Sequence, residues 1–249
     1  MPAVLEERPV SVVTAGSGRI HGIDALRGLC VILMAIFHFG YDLYAYCGFS
    51  AAMVVSPFMV FCQVASSRGF MLLAGFSCRL SRDNARRGMR VLACAFLLSV
   101  VTRIWGDPIR FGILHLLGCS MLLWAATHKL WEKVPGWLLS ALAFGAFLVL
   151  NANFPMAGER DWLYAFGVMY PGFYSSDYYP LLPWFFLFLT GAGLSAYRER
   201  IGGWVRNLKV PLLNWLGRHS LGFYLIHQPV LVAISMAITV VTGHSFSVN

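Results

Sequence analysis

Hydrophobic positions fall into seven long blocks that short polar segments separate. Each block holds about 20 mainly apolar residues, the length that a helix needs to cross the hydrocarbon core of a bilayer. The pattern therefore predicts an all-α, polytopic transmembrane helix bundle with about seven spans, at residues 25–46, 58–80, 88–106, 111–128, 136–153, 181–197 and 220–241. We expect residues 1–20 to form a flexible cytoplasmic tail and residues 21–249 to form a single membrane domain.

The composition agrees with a membrane protein. Hydrophobic residues make up 58% of the chain and charged residues 12%, against roughly 25% charged residues in globular domains. Lys and Arg concentrate in alternate loops, and short loops rich in these residues face the cytoplasm. The alternation predicts a cytoplasmic N-terminus and an outside C-terminus. The net charge of +8 then indicates topology and contact with the lipid bilayer, and not nucleic-acid binding.

Four ionisable residues of the first block share one face of the predicted helix. At about 100° per residue, Arg27 at zero places His38 near 20° and both Asp24 and Asp42 near 60°. Arg27 and His38 are separated by about 16 Å along the axis. Charged groups within a bilayer cost at least about 2.5–3.5 kcal/mol each and usually line a cavity or pathway. The face therefore predicts a polar path, although hydrogen bonding to neighbouring helices alone would also explain it.

Other spans supply polar partners for this path. Arg68 lies halfway along the second block, His115 near the outer end of the fourth, and Tyr224 and His227 on one face of the seventh. We expect these side chains to converge with His38 and Asp42 on one polar chamber, with most pairs within about 10–12 Å. Asp177, in SSDYYPLLPW before the sixth block, is expected at the outer mouth of that chamber.

The residue types in this set suit group transfer. A histidine held by a carboxylate one turn away can act as a general base or carry an acyl group itself, so His38 and Asp42 are the candidate catalytic residues. Arginine suits phosphate recognition, which makes Arg27, together with the nearby basic cytoplasmic loops, the candidate site for a phosphorylated donor. Walker, HExxH and GxSxG motifs are absent from the sequence. The six cysteines form no CxxC pair, and we predict neither a metal site nor a bound cofactor.

The segments IDALRGLCVILMAIFHFGYDL, GILHLLG, SSDYYPLLPW and GRHSLGFYLIHQP resemble the bacterial branch of the heparan-α-glucosaminide N-acetyltransferase-like membrane proteins, over about residues 19–240. The resemblance implies transfer from cytoplasmic acetyl-CoA, as co-substrate, to a sugar amine or hydroxyl on the far side. It implies a bacterial cytoplasmic (inner) membrane and an envelope sugar or glycolipid as acceptor. The spacing of Arg27 and His38 is also similar to that in related membrane enzymes that O-acylate surface polysaccharides.

One feature differs from the lysosomal members, which use a histidine in the loop after the first span. That loop, GFSAAMVVSPF, contains no histidine here, so either His38 is the working histidine or this branch does something else. Three functions remain open: an N- or O-acyltransferase, a transporter or channel with a proton or solute path, and a non-catalytic scaffold. The seven blocks show no inverted repeat of the transporter kind, and a scaffold does not explain the ionisable face. We favour the acyltransferase and leave the acceptor, the acyl group and a homo-oligomer open.

Overall fold

The computed structural model describes residues 19–200 and 203–242, which are mostly helical. The helices in this part of the chain are α1 (His21–Cys47), α2 (Ala51–Val54), α3 (Pro57–Leu80), α4 (Asn84–Trp105), α5 (Ile113–Trp131), α6 (Gly136–Asn151), α7 (Leu181–Leu194), α8 (Gly203–Arg206), α9 (Pro211–Arg218) and α10 (Ser220–Thr242). This part of the chain also contains two short 3₁₀ helices, Asp161–Phe166 and Ser195–Arg200, and a parallel pair of two-residue strands, Met156–Ala157 with Val168–Met169. The predicted tail lies almost wholly outside the described residues.

A helical membrane bundle is confirmed, but the count of seven spans is not. Within the described ranges, five helices are long and apolar enough to cross a membrane: α1, α3, α4, α5 and α10. Helices α6 and α7 have 16 and 14 residues, which rise only about 24 and 21 Å against a hydrocarbon core of about 30 Å. Helix α7 begins at Leu181, where its block was predicted to begin, but Leu182 between Pro180 and Pro183 is not helical, and a 3₁₀ helix replaces the α-helix from Ser195. The sidedness of both termini stays a prediction.

Helices α1 and α10 run parallel, and their pairing brings the polar residues of the bundle together. The His38 ring contacts the His227 ring, and farther along both helices the Thr239 hydroxyl donates to the Tyr46 carbonyl at 2.9 Å. Contacts that advance in the same direction on both helices require parallel axes. We call the end where α1 begins the arginine end, because Arg19 and Arg27 lie there, and the opposite end the far end.

Short helix α9 packs backbone against backbone on α1 at the arginine end. A Cβ atom added to Gly28 would collide with the Leu213 carbonyl, and one added to Gly217 would collide with the Asp24 carbonyl. The Asn214 side chain donates to the His21 carbonyl at 2.6 Å. These close contacts fix the segment that leads into α10, and hence the position of α10 against α1.

Large apolar side chains divide between a packed interior and an exposed belt. Phe188, Leu187 and Met71 are almost wholly buried where α3, α5 and α7 meet. Helix α4 instead exposes Phe96 and Ile104 over more than half of their surface. Exposed apolar side chains of this size suit contact with lipid tails, as a membrane-spanning helix requires.

The close packing of α1 on α9 can be tested with glycine substitutions. Gly28→Ala should lower the melting temperature, because overpacking costs about 1–3 kcal/mol and outweighs the helix propensity of up to about 1 kcal/mol that alanine adds. Gly145→Ala in α6 is the control, since a Cβ there meets no atom within 4 Å. Thermal unfolding in detergent measures both, and equal melting temperatures would contradict the packing.

Sidedness can be tested with reporters fused after Asn249. The alternation of basic loops predicts that an alkaline phosphatase fusion at this position is active and that a cytoplasmic fluorescent reporter is not. A fluorescent C-terminal fusion in intact cells would refute both the outside C-terminus and the odd number of spans.

Candidate active site

A pair of histidines forms the centre of the site. The rings of His38 on α1 and His227 on α10 lie edge to face, with centroids 5.0 Å apart. Nδ1 of His227 lies 2.7 Å from the Tyr224 carbonyl oxygen. A carbonyl only accepts hydrogen bonds, so Nδ1 carries the proton and Nε2 of the neutral ring keeps a lone pair. That Nε2 is buried and has no partner among the described residues.

Asp42 lies one turn beyond His38 but is held by α10. Its Oδ1 accepts a hydrogen bond from Gln228 Nε2 at 2.9 Å, and the hydrogen bonds of the described residues include none from His38 to Asp42. The second carboxylate oxygen of Asp42 and the side-chain amide oxygen Oε1 of Gln228 are both buried without a partner in this part of the chain. The expected orientation of His38 by Asp42 is therefore not what the structure shows.

Asp177 joins three segments of the chain instead of standing at an open mouth. Its Oδ2 accepts from the Ile113 N–H at 3.0 Å and from the Tyr224 hydroxyl at 3.2 Å. Ile113 is the first residue of α5, and a helix N-terminus favours a carboxylate. Burial raises the pKa of the Asp177 carboxyl, and the two hydrogen bonds partly offset that rise. Asp177 thus ties the loop before α7 to α5 and α10.

His115 has partners on both ring nitrogens. Nδ1 accepts from the Gly112 N–H at 3.3 Å, so Nε2 carries the proton and faces Ser99 Oγ at 3.3 Å. The Ser99 hydroxyl in turn donates to the Ile109 carbonyl at 2.6 Å. The ring is 4% exposed and stacks on Phe111. His115 therefore holds the turn that precedes α5, and it reaches the rest of the site only through the backbone at Gly112 and Ile113.

Arg68 lies apart from the buried groups. Its side chain is exposed, and the guanidinium carbon lies 6.0 Å from the centroid of the Phe147 ring. The structure thus brings His38, His227, Tyr224 and Asp177 close together and leaves Arg68 outside this group. Helix α3 packs on both α1 and α7, and Arg68 lies on the side of α3 that faces Phe147 of α6.

A basic cavity of about 530 Å³ opens at the arginine end of the bundle. Arg27 spans its wall, donating from Nη1 to Asp24 at 3.3 Å and from Nη2 to Ser77 Oγ at 2.7 Å. Nη1 of Arg79 is buried there without a partner among the described residues. Six arginines and two carboxylates line the cavity: Arg19, Arg27, Arg79, Arg87, Arg198, Arg206, Asp24 and Glu199.

A second cavity of about 380 Å³ continues from the basic cavity towards the histidine pair. Arg27 and Arg87 line both cavities, so the two meet at these residues. The second cavity ends at Ile113 and Tyr224, the two residues that donate to Asp177, and the Tyr224 ring lies 5.4 Å from the His227 ring. Its walls are largely apolar and include Phe70, Ala74, Val91, Leu114, Leu117, Met121 and Leu221.

Sequence reasoning missed two parts of this site. Gln228 stands between His227 and Pro229 in an otherwise apolar block, and its polarity at that depth was the available signal. The basic loops that carry Arg79, Arg87, Arg198 and Arg206 were expected to help Arg27 bind a phosphorylated donor, but which of their arginines share one cavity was not predicted. Their convergence depends on how four chain segments pack, which loop composition does not reveal.

Comparison with known proteins places this geometry in a family. A family model described as "Heparan-alpha-glucosaminide N-acetyltransferase, catalytic" matches residues 19–229. The match includes both cavities and the histidine pair. Searches of curated proteins and of solved structures give no match.

Because Asp177 connects the loop before α7 to α5 and α10, replacing it should lower the stability of the protein. Asp177→Ala leaves the Ile113 N–H and the Tyr224 hydroxyl without acceptors, at a cost of about 1–3 kcal/mol each, so the melting temperature should fall by several degrees. Tyr224→Phe removes a single donor and should cost less. Exposed Asp161→Ala is the control for loss of a loop carboxylate. If Asp177→Ala and the control had equal melting temperatures, the hydrogen bonds of Asp177 would not hold the three segments together.

Proposed function

Because the chain belongs to the heparan-α-glucosaminide N-acetyltransferase catalytic family, which is characterised by a membrane acetyltransferase-like function, we propose that it moves an acetyl group from acetyl-CoA to a sugar or glycolipid. The observation that carries this proposal is the pair of joined cavities. They lead from an arginine-rich pocket to Tyr224, whose ring lies 5.4 Å from that of His227.

The basic cavity has the chemistry of a phosphate site. Coenzyme A carries a pyrophosphate and a further phosphate, and guanidinium groups bind phosphate oxygens in paired, charge-assisted hydrogen bonds. Arg27 uses two of its nitrogens on Asp24 and Ser77, which holds its remaining N–H groups in place. Arg79 offers a buried, unpartnered nitrogen. A volume of about 530 Å³ is within the range of about 300–1,000 Å³ that small-molecule sites occupy.

The second cavity is the part of the site that would hold the pantetheine arm. Arg27 and His38 are eleven residues apart on α1, or about 16 Å along its axis. Apolar walls suit the uncharged arm, and Arg87 at the junction suits the last phosphate of the nucleotide. A thioester that follows this cavity arrives at Tyr224, beside the His227 ring.

The far end of the cavity supplies groups for proton transfer. An acceptor amine or hydroxyl must lose a proton as it attacks the thioester carbonyl carbon, and the departing thiolate must gain one. Two imidazoles 5.0 Å apart can take up that proton and return it. His38, on the face of α1 that begins at Arg27, thereby belongs to the acyl-transfer site together with His227.

The direction of transfer follows from the charge of the loops. Basic loops flank the donor cavity, so the donor enters from the cytoplasm under the positive-inside rule. The acceptor then approaches from the opposite face, past the loop that carries Asp177. The membrane we propose is the cytoplasmic membrane of a bacterium, and the acceptor is an envelope sugar or glycolipid.

Donor binding predicts a loss of affinity in Arg27→Ala. Hydrogen bonds to charged groups contribute about 1.5–3 kcal/mol, so the dissociation constant for acetyl-CoA should rise roughly 10- to 100-fold. Arg103→Ala, which removes an exposed arginine from the last turn of α4, is the control. Titration calorimetry in detergent measures both, and unchanged affinity in Arg27→Ala would remove Arg27 from the donor site.

The histidine pair predicts a separation of binding from transfer. The double variant His38→Ala/His227→Ala should bind acetyl-CoA as the wild type does, while thiol release with an amino-sugar acceptor falls by about 10²–10⁴-fold. His128 lies near the C-terminal end of α5, whereas the second cavity ends at Ile113, the first residue of that helix. His128→Ala is therefore the control and should keep full activity. Full transfer by the double variant would place the chemistry elsewhere.

A further inference from the structure

We propose that the rim of the second cavity, where Arg90 of α4 and Arg218 of α9 line it, binds the headgroup phosphate of an anionic membrane phospholipid. The acyl chains of that lipid lie along the exposed apolar face of α4. This inference goes beyond the proposed acyltransferase activity and does not depend on it, because the phospholipid is neither the donor nor the acceptor of the reaction.

The second cavity lies in a gap between two pairs of helices. Helix α4 packs on α5, and α10 packs on α1, whereas α4 and α10 barely touch each other. Both sides of this gap line the cavity, with Arg87, Arg90 and Val91 from α4 and with Arg218, Ser220 and Leu221 from α9 and α10. Arg90 and Arg218 are also exposed, so the cavity opens to the outside between α4 and α10.

The charged groups of this cavity are all basic. Among the described residues, Arg27, Arg87, Arg90 and Arg218 line it, and no carboxylate does. Arg27 is paired with Asp24, but the ion pairs of the described chain include neither Arg90 nor Arg218. Exposed guanidinium groups without a carboxylate partner suit the oxygens of a phosphate, which they bind through charge-assisted hydrogen bonds.

Both rim arginines lie near the end of the bundle where lipid headgroups are expected. Helix α4 begins with Asn84 at the arginine end, and Arg90 follows about 9 Å along its axis. Gly217, which precedes Arg218, packs against the Asp24 carbonyl near the start of α1. Long arginine side chains extend from such positions towards the headgroups. Basic pockets between helices on the cytoplasmic side are known sites for anionic lipid headgroups.

An exposed apolar face of α4 leads away from Arg90. At about 100° per residue, Leu97 and Val101 lie within about 20° of Arg90 around the helix, and they are 63% and 46% exposed. A basic rim that continues into an apolar face matches a molecule with a phosphate headgroup and long acyl chains. A free phosphate or a nucleotide would contact the arginines but leave the apolar face uncovered. The ligand that fits both features is an anionic phospholipid.

The rim is distinct from the groups that we propose for the donor. Arg90 and Arg218 line the second cavity but not the basic cavity, where the donor phosphates are proposed to bind. The pantetheine arm would pass from Arg27 and Arg87 to Tyr224. Lipid and donor therefore use different residues, and a lipid at the rim closes the gap between α4 and α10 and separates the arm from the bilayer.

Lipid binding to the purified full-length protein tests the rim directly. Native mass spectrometry in detergent can measure the dissociation constants of phosphatidylglycerol and of phosphatidylcholine with the same acyl chains. The wild type should bind phosphatidylglycerol more tightly. In Arg90→Gln/Arg218→Gln the dissociation constant of phosphatidylglycerol should rise roughly 10- to 30-fold, the contribution expected of two arginines beside an anionic lipid. The dissociation constant of phosphatidylcholine should not change.

The matched control is Arg82→Gln/Lys209→Gln, which removes two exposed basic residues that line neither cavity and should bind phosphatidylglycerol as the wild type does. If the rim double variant does not fold, Arg90→Gln and Arg218→Gln alone should each show a rise of about 3- to 5-fold. Wild-type affinity in the rim variants would overturn the site. An equal loss in the control would also overturn it, because attraction to the basic end of the bundle in general would then explain the binding.

Competition separates the lipid from other phosphate ligands. Phosphatidylglycerol should stay bound in the presence of equimolar glycerol 3-phosphate, which lacks acyl chains, and of saturating acetyl-CoA, which uses other residues. Displacement by glycerol 3-phosphate would indicate a simple phosphate site, and displacement by acetyl-CoA would assign Arg90 and Arg218 to the donor. Either result would overturn the lipid site. Protein that binds phosphatidylglycerol through these arginines but does not bind acetyl-CoA would support the lipid site and contradict the proposed function.

Discussion

The hydrogen bond from Gln228 to Asp42 fixes how α10 lies against α1, and the rest of the site depends on that register. A carboxylate that is 1% exposed inside an apolar bundle must be paired or neutralised, because lipid offers no partner for it. Because Gln228 follows His227 directly in the sequence, its hydrogen bond to Asp42 also places the His227 ring 5.0 Å from the His38 ring. A shift by one turn of either helix would separate the histidines and leave the carboxylate without its donor.

Three environments follow one another from the arginine end towards the histidine pair. The first cavity is lined by arginines, the second is largely apolar and ends at Tyr224, and the Tyr224 ring lies 5.4 Å from the His227 ring. This order matches the order of groups in an acyl-coenzyme A, from phosphates through the uncharged arm to the thioester. Membership of an acetyltransferase family and this gradient support the same function. The close packing of α9 on Gly28 keeps the arginine end fixed relative to the far end.

Sequence reasoning succeeded for features that depend on one helix alone, such as its position in the chain and the residues that share one of its faces. Apolar runs located the long helices, and the 100° rotation per residue placed Arg27, His38 and Asp42 on one face. It failed where partners come from other helices. The bond between Asp42 and Gln228, the burial of Asp177 on α5 and the exposure of Arg68 all depend on helix register. The seven-span count stays a prediction, because α6 and α7 have 16 and 14 residues and hydropathy does not reveal that the α-helix gives way to a 3₁₀ helix at Ser195.

We propose above all that acetyl-CoA occupies the two joined cavities with its phosphates at the arginine end. A cryo-electron microscopy structure with a non-hydrolysable thioether analogue of acetyl-CoA tests this most directly. The account predicts density for the phosphates against Arg27, Arg79 and Arg87, density for the arm through the second cavity, and the sulfur beside His227. Phosphate density at the far end, or cavities that stay empty at saturating analogue, would contradict it.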